Sequence, residues 1–278
     1  MAGYIDLHMH TAYSDGALTP EDLLAIVREK KLQAFSITDH DTLEGYRHTA
    51  KLLTKDDPEL IPGVEISAEV DGEDMHLLGY LFDPDDKALN AALEDFKEIR
   101  RQRGRTMVEK LNQMGLNISF DSVERAASGS VIGRPHVADA LVEEGLVGHF
   151  DEAFHKYIGN GGPAYVPRGR MTPAEAIDLI HGAGGAAVLA HAFIAGMDQH
   201  IETLAARGLD GLEVYHYSFK KHHIKQLKTL ARRYGLQQTG GSDFHGRRDH
   251  EGEIGSLKIP SSILDRLKQH ALQIRGTE

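Results

Sequence analysis

The chain has 278 residues, enough for one large α/β domain or two smaller ones, and its 41% hydrophobic and 26% charged residues are typical of a globular protein. It contains no cysteine, which excludes disulfide bonds, thiolate metal ligands and thiol nucleophiles, so any metal must be held by nitrogen and oxygen. A net charge of -11 argues against binding to long duplex nucleic acid, and the lack of a signal-peptide pattern or of about 20 consecutive apolar residues predicts a cytoplasmic protein that does not bind membranes.

The first predicted element is a strand within residues 4–16 that ends in two histidines and a turn. Side chains two residues apart on a strand point to the same side, so His8 and His10 converge and can bind one cation. An isolated histidine pair near an N-terminus is as often a solvated turn or an expression remnant as a metal site. The apolar start and the Ser-Asp-Gly turn at residues 14–16 favour the metal site.

Helices and strands alternate after this run. Thr-Pro-Glu-Asp at residues 19–22 combines a cap residue, a proline and two acids, which predicts a helix to about residue 31. A second helix is predicted over residues 42–54. Strands are predicted over residues 34–38, 60–66 and 74–80, and each carries or precedes one candidate ligand, namely His40, Glu65 and His76.

The alternation stops between about residues 85 and 167, where the periodicity predicts helices only. A long helix is predicted over residues 88–114, with shorter ones over 120–127, 135–144 and 149–157. We therefore predict a small helical insert of residues 99–168, which separates two parts of an α/β barrel, residues 1–98 and 169–278. The arginines between residues 100 and 105 are interpreted as a helix face in solvent.

The alternation resumes with a capping box at residues 172–175, followed by a helix to about residue 183. Strands are predicted over residues 185–191, 211–216 and 236–245, and they bring the candidate ligands His191, His216, Asp243 and His245. Seven strands, mostly separated by helices, predict an α/β fold with a parallel sheet that is open or closed into a barrel. In both architectures functional side chains gather at the carboxyl ends of the strands, where these ligands fall.

The ligand types indicate a cluster of metal ions. Imidazoles and carboxylates suit zinc, manganese or divalent iron, whereas an all-oxygen shell would favour magnesium or calcium. One catalytic ion uses about three protein ligands, so these residues predict two or three ions, with Glu65 as a possible bridge. Such a cluster lowers the pKa of water and binds phosphoryl oxygens, which predicts phosphate ester hydrolysis. Amide or lactone hydrolysis would use similar ions and remains an alternative.

Gly-Arg-Pro-His at residues 133–136 is a candidate phosphate site. The guanidinium of Arg134 is a planar fork of donors that fits phosphate, and the proline favours a helix start whose amides attract anions. An arginine that caps a turn is the alternative. Its position in the insert predicts that the insert is a lid over the substrate.

These motifs together resemble the PHP family, the polymerase and histidinol phosphatase domain. The resemblance rests on residues 8–11, 14–16, 38–41, 62–65 and 242–245, with His76 and His191. It implies a distorted seven-stranded (β/α)7 barrel that holds up to three divalent ions, manganese first, with iron or zinc as alternatives. On the matching positions it implies one ion at His8, His10, Glu65 and Asp243, a second at Glu65, His76 and His191, and a third at Asp15, His40 and His245.

The insert, residues 133–136 and residues 163–167 are similar to the PHP subgroup that acts on nucleotide phosphates. This similarity implies hydrolysis of a nucleoside 3',5'-bisphosphate to the 5'-monophosphate and phosphate, with 5'-3' trimming of short RNA as a related activity. The expected partner is a small nucleotide or a short oligonucleotide, and no obligate protein partner is evident. Two alternatives stay open: a phosphatase acting on histidinol phosphate or a similar metabolite, and a metal-binding accessory module without catalysis.

The predicted reaction assigns roles to five residues. Water activated by the ions attacks phosphorus, while Arg134 balances charge on the non-bridging oxygens. Asp243 or His245 relays a proton. His136 and His216 contact the phosphate or protonate the leaving oxygen, a role that suits histidine near neutral pH.

Overall fold

The computed structural model describes residues 3–167, 171–194, 196–247 and 252–276, which form a mixed α/β fold. Nine strands of this described part pair into two sheets. The first sheet has the order β3-β2-β1-β9, with β1, β2 and β3 parallel and β9 antiparallel to β1. Its strands are β1 (Tyr4–Asp6), β2 (Ala34–Ser36), β3 (Glu59–Ile61) and β9 (Ile259–Pro260).

The second sheet has the order β4-β5-β6-β7-β8. Its first three strands pair antiparallel and its last three pair parallel. The strands are β4 (Gly63–Val70), β5 (Glu73–Tyr80), β6 (Ala186–Leu189), β7 (Gly211–His216) and β8 (Gln237–Gly241).

Ten α-helices of the described chain cover these sheets and build the insert. They are α1 (Pro20–Glu29), α2 (Glu44–Leu52), α3 (Lys87–Gln113), α4 (Phe120–Ala127), α5 (Arg134–Glu143), α6 (Phe150–Ala153), α7 (Pro173–Gly182), α8 (Ile201–Ala206), α9 (Lys221–Tyr234) and α10 (Ser262–Arg275). Two predicted helix starts are confirmed in detail. Thr19 caps α1 by accepting from the Asp22 backbone N–H, and Thr172 forms a reciprocal capping box with Glu175. None of the described helices is long and apolar enough to cross a membrane.

The segment predicted as one strand over residues 60–66 divides at Pro62. The part before it, β3, pairs parallel with β2, and the part after it, β4, pairs antiparallel with β5 in the other sheet. Proline has no backbone N–H to donate to a ladder, so it favours a break between strands. The Pro62 carbonyl still accepts from the Leu81 N–H at 2.9 Å.

The sheets do not close into one ladder, so the structure differs from the single seven-stranded barrel that we predicted. The strands β1 and β2 are each only three residues long. The segments that follow them contain the candidate ligands His8, His10 and His40, which are buried. Single bridges then join the two sheets, between Met9 and Phe244 and between His40 and Glu65. The His8 carbonyl also accepts from the Asp243 N–H at 2.8 Å. Several of the candidate metal ligands therefore lie where the two sheets meet.

The helix α3 connects two hydrophobic clusters. Leu93 and Phe96, in its first half, pack in the core beneath the second sheet. Met107 and Leu111, in its second half, pack with α4 and α5. The predicted boundary at residue 99 falls inside this helix, and the division into residues 1–98, 99–168 and 169–278 stays a prediction.

Candidate metal centre

Glu65 lies at the middle of a histidine cluster on the seam between the two sheets. It points inward from β4 and is 1% exposed. Its Oε1 atom lies 2.7 Å from His76 Nδ1 and 3.0 Å from His191 Nε2. Its Oε2 atom lies 3.3 Å from His8 Nε2, 3.2 Å from His10 Nε2 and 3.2 Å from His40 Nδ1. One carboxylate therefore contacts five imidazoles contributed by four separate segments of the chain.

The described residues contain three groups of donor atoms that lie within 4.8 Å of one another. They are His8, His10, Glu65 and Asp243; His10, Asp15, His40 and His245; and His40, Glu65 and His76. The first group has the composition implied by the family resemblance, and the second adds His10 to the implied set. The third has His40 where His191 was expected, although His191 Nε2 is 3.4 Å from His76 Nδ1. All nine predicted ligands thus lie in one cluster.

The spacing of the donors fits a first-row divalent cation. Metal–nitrogen bonds of about 2.0–2.1 Å leave neighbouring ligand atoms roughly 3.0–3.4 Å apart in octahedral or tetrahedral geometry. His8 Nε2 lies 3.1 Å from His10 Nε2, and these atoms lie 3.2 and 3.3 Å from Asp243 Oδ1. In addition, the buried Nδ1 of His40 lies 3.2 Å from Glu65 Oε2 but is not oriented to form a hydrogen bond with it or with any other described residue. The mixture of imidazole and carboxylate favours zinc, manganese or iron over calcium.

The pKa values in this cluster reflect strong coupling between buried charges. Burial alone would raise the pKa of Glu65, but the imidazoles of His40, His76 and His8 hold it well below its usual range. Burial works to lower the pKa of His10, yet hydrogen bonds to Asp243 and Glu65 outweigh it and raise the value to about 10. Ionised carboxylates are ready to bind metal, whereas metal binding at His10 must displace a proton.

Two of the candidate ligands have a positive backbone φ, which determines the direction of their side chains. His191 follows β6 with φ of 27°, and Asp243 follows β8 with φ of 50°. Such conformations are uncommon for residues other than glycine and cost on the order of 1–3 kcal/mol. Backbone hydrogen bonds hold these two conformations in place. One of these bonds runs from the Asp243 N–H to the His8 carbonyl.

The buried carboxylate of Asp39 organises the loop that carries Asp15. It accepts from the Thr11 N–H at 2.7 Å, from the Thr11 hydroxyl at 2.6 Å and from the Ser14 hydroxyl at 2.7 Å. Asp39 stands beside His40 in the family motif, but the sequence analysis gave it no role. Its three bonds make it a structural anchor of the loop.

The interpretation of the α3 arginines as a solvent-exposed face is wrong for two of them. Arg100 and Arg103 are 5% and 6% exposed. Arg100 donates from Nε to Asp41 Oδ2 at 2.5 Å and from Nη2 to the Ser67 hydroxyl at 2.8 Å. The signal was available, because both arginines continue the buried stripe that Leu93 and Phe96 begin at spacings of three and four residues.

Arg134, the first residue of α5, lies on a cavity next to the metal centre. The cavity has a volume of about 430 Å³ and is also lined by His76 and His191. The guanidinium donates to Asn160 Oδ1 at 2.6 Å and to Asp74 Oδ2 at 3.1 Å. The helix start that the sequence predicted around residues 133–136 is present.

The two remaining predicted substrate residues lie in different surroundings. His216 is fully buried, and its Nε2 lies 3.1 Å from Asp243 Oδ2. His136 is also buried, its Nδ1 accepts from the Gly133 N–H at 3.0 Å, and burial lowers its pKa to about 4. His136 does not line the cavity beside Arg134. The structure therefore brings His216 to the metal centre and gives His136 a contact at the start of α5.

Comparison with known proteins identifies the family. Residues 6–158 match the PHP domain. The chain is 35% identical to the 5'-3' exoribonuclease Rnm of Salmonella typhimurium, over 86% of this chain and 84% of that protein. It is 32% identical to a 3',5'-nucleoside bisphosphate phosphatase of Chromobacterium violaceum, over 90% of each chain.

Solved structures agree with this assignment over nearly the whole chain. A structure from Bifidobacterium adolescentis, described as a metal-dependent phosphoesterase, is similar with a TM-score of 0.86 and 31% identity over 96% of each chain. A structure from Chromobacterium violaceum, described as an amidohydrolase with bound sulfate and no metal, has a TM-score of 0.83 and 31% identity over 96% of each chain. The chain therefore belongs to the PHP domain family.

Proposed function

We propose that this protein hydrolyses the phosphate monoester of a nucleotide, and that its main substrate is a nucleoside 3',5'-bisphosphate. Family membership and the donor set agree on metal-dependent hydrolysis of a phosphate ester as the reaction class. The observation that supports the bisphosphate is the cavity shared by Arg134, His76 and His191. Its volume of about 430 Å³ is within the range of small-molecule sites. A phosphate at the metal centre would then leave a second phosphate facing a guanidinium.

Arg134 is suited to hold a phosphate because its orientation is already fixed. Asp74 and Asn160 bind two of its nitrogens, and the rings of Phe154 and Tyr165 lie 5.8 and 5.6 Å from its guanidinium carbon. A fixed planar fork loses little side-chain entropy when an anion binds. We propose that Arg134 holds the phosphate that is not cleaved and also balances charge on the reacting one.

The candidate metal ligands supply the rest of the site. Divalent ions bound there would lower the pKa of a water molecule and neutralise phosphoryl oxygens. We propose that two or three divalent ions bind. Manganese is the favoured ion, and iron and zinc are the alternatives. Asp243 and His245 are proposed to move the proton, and His216 orients Asp243 across 3.1 Å. His216 stays proposed as a phosphate contact or an acid for the leaving oxygen, whereas the buried position of His136 and its bond to the Gly133 N–H favour a role in fixing the start of α5 beside Arg134.

The insert of residues 99–168 is proposed as the lid of this cavity. Arg134 and Asn160, both from the insert, meet Asp74 and His76 of β5 at its walls. We also propose that the protein works in the cytoplasm on small nucleotides or short oligonucleotides, with no obligate protein partner, membrane or long duplex involved.

The proposal is tested by assaying phosphate release from adenosine 3',5'-bisphosphate before and after chelation, and again after manganese is restored. We expect chelation to abolish release and manganese to recover it, because the ions activate the water. Release that persists in the metal-free protein would contradict the proposal. Faster turnover of histidinol phosphate in a parallel assay would favour the metabolite phosphatase, and bound metal without hydrolysis of any ester would favour an accessory module.

A second function, 5'-3' trimming of short RNA, is favoured by the surface of α9. Residues 220–233 contain six lysines and arginines and no acidic residue, in a chain whose net charge is -11. Lys221, Lys225, Lys228 and Arg232 follow at spacings of four, three and four, which aligns them along one face over about 16 Å. Lys221, Lys225 and Arg232 are exposed, and Lys228 is half-buried with its ammonium 4.7 Å from the centre of the Tyr215 ring. The helix follows β7 and therefore begins near His216 at the metal centre.

Replacing Lys221, Lys225 and Lys228 together by glutamine should leave hydrolysis of adenosine 3',5'-bisphosphate unchanged and weaken binding of a 5'-phosphorylated RNA octamer. Three lost phosphate contacts on a single strand should lower the slope of log affinity against log salt by about 2. Fluorescence anisotropy at several salt concentrations measures this slope.

The matched control neutralises three exposed lysines on another part of the surface, Lys31, Lys51 and Lys55, with the same change in net charge. An equal loss in both triple variants would indicate a general charge effect. Unchanged octamer binding in the α9 variant would leave the bisphosphate as the only supported substrate.

A further inference from the structure

Glu213 is a buried carboxylate that touches two candidate ligands without belonging to any of the three donor groups. It lies in the middle of β7 and is 0% exposed. Its Oε1 lies 2.8 Å from His8 Nδ1, and its Oε2 accepts from the His191 backbone N–H at 2.8 Å. Both carboxylate oxygens are thus used to hold the metal centre. The sequence analysis missed it, although an acid inside the apolar strand Gly-Leu-Glu-Val-Tyr-His is itself a signal.

The contact with His8 determines which ring nitrogen carries a proton. His8 Nε2 faces the other donors, 3.3 Å from Glu65 Oε2 and 3.2 Å from Asp243 Oδ1. An ionised carboxylate can only accept a hydrogen bond, so Nδ1 must donate to Glu213. A neutral ring with its proton on Nδ1 leaves the lone pair of Nε2 for a metal.

The hydrogen bond from the His191 N–H to Glu213 stabilises an unfavourable backbone conformation at His191. His191 has φ of 27°, in the left-handed region that residues with a side chain rarely adopt. The bond from its N–H to Glu213 fixes the peptide just before this turn. The ring is then directed so that Nε2 lies 3.0 Å from Glu65 Oε1. Without this bond the backbone could relax and move the ring away from Glu65.

We propose that Glu213 is a positioning residue that sets the proton of His8 and the backbone of His191, and thereby the metal affinity of the centre. This inference rests on the proposed metal-dependent function. Glu213 acts through two ligands and touches neither substrate nor ion. One side chain therefore couples a ligand that follows β1 to a ligand that follows β6.

Glu213→Gln tests the proposal because it preserves the shape of the side chain. The amide oxygen can still accept from the His191 N–H, but the amide nitrogen donates toward His8 and drives the His8 proton onto Nε2. We expect manganese affinity to fall about 10- to 100-fold, as is typical for such supporting carboxylates. Metal content after dialysis against limiting manganese measures this loss without any activity assay.

Asp6→Asn is the matched control. Asp6 is also a buried carboxylate near the centre, but its oxygens accept from backbone N–H groups, those of Ser242 and Gly255 at 2.9 Å and of His8 at 3.4 Å, and contact no imidazole among the described residues. We expect this variant to lose stability and to retain normal manganese affinity. Equal loss of metal in both variants would overturn the specific role of Glu213.

A measurement on the unsubstituted protein covers the case in which Glu213→Gln does not fold. In the zinc-loaded, ¹⁵N-histidine-labelled protein, we expect NMR to detect the His8 Nδ1 proton shifted downfield by its hydrogen bond to the Glu213 carboxylate. A His8 Nδ1 proton without this shift would overturn the inference, as would full manganese affinity in a folded Glu213→Gln variant. These results would leave the proposed function intact, whereas an unsubstituted protein that binds no metal would overturn both.

Discussion

Replacing Glu65 by glutamine should reduce phosphate release to background and remove most of the bound metal. Glu65 belongs to two of the three donor groups, and its two oxygens contact five histidines. An amide cannot supply the negative charge that balances the ions, and its NH2 group would face imidazole nitrogens that need to bind metal. Phosphate release from adenosine 3',5'-bisphosphate and metal content per chain measure the two effects.

Glu69→Gln provides the control for this substitution. Glu69 lies on the same strand, four residues further along, and outside the three donor groups of the described chain. The Glu69→Gln variant should keep its bound metal and its rate of phosphate release. A Glu65→Gln variant that kept its metal and its rate would show that these histidines form a structural cluster instead of a catalytic one.

Arg134→Ala should lower kcat/KM for adenosine 3',5'-bisphosphate by about 2 to 4 kcal/mol, or roughly 30- to 1000-fold, if Arg134 stabilises charge in the transition state. Arg134→Lys should recover only part of this loss, because an ammonium keeps the charge but lacks the planar fork. Steady-state kinetics with the bisphosphate and with adenosine 3'-monophosphate, which keeps the phosphate to be cleaved and lacks the other one, separate the two phosphate contacts. The loss should be larger for the bisphosphate.

The control is Arg101→Ala, which removes an exposed arginine of α3 that is paired with Glu124. It should leave the rate unchanged, since exposed ion pairs contribute little. An unchanged rate in Arg134→Ala would assign Arg134 a purely structural role through Asp74. A melting temperature measured for each variant distinguishes loss of stability from loss of catalysis.

Part of the donor cluster could be predicted from the sequence because parallel strands direct their carboxyl ends to one place. His8, His40 and Asp243 lie at or near the ends of predicted strands, and all three belong to the donor groups. Glu65 and His76 lie near the start of β4 and in the middle of β5, which pair antiparallel, so this rule does not account for them.

The helix starts at Thr19 and Thr172 were also predictable. Their signals are local, and nothing in the tertiary structure opposes them.

Other features depend on tertiary contacts that periodicity does not reveal. The division of one predicted strand at Pro62 required knowing that its halves pair with different partners. The burial of Arg100 depends on Asp41, which is distant in the sequence. The two-residue strand β9 carries too little pattern to be recognised. Glu213 lies three residues before the end of β7, so a rule that places ligands at strand ends does not include it.

The position of β1 has a consequence for the order of events during synthesis. This strand lies between β2 and β9, so one partner follows it closely in the sequence and the other is translated about 250 residues later. At about 5–20 residues per second, His8 waits on the order of tens of seconds for Asp243 to leave the ribosome. The insert packs against itself and has no such delay. The insert can therefore fold before the metal centre forms. The metal centre is completed only when the segment of His8 meets the segment of Asp243.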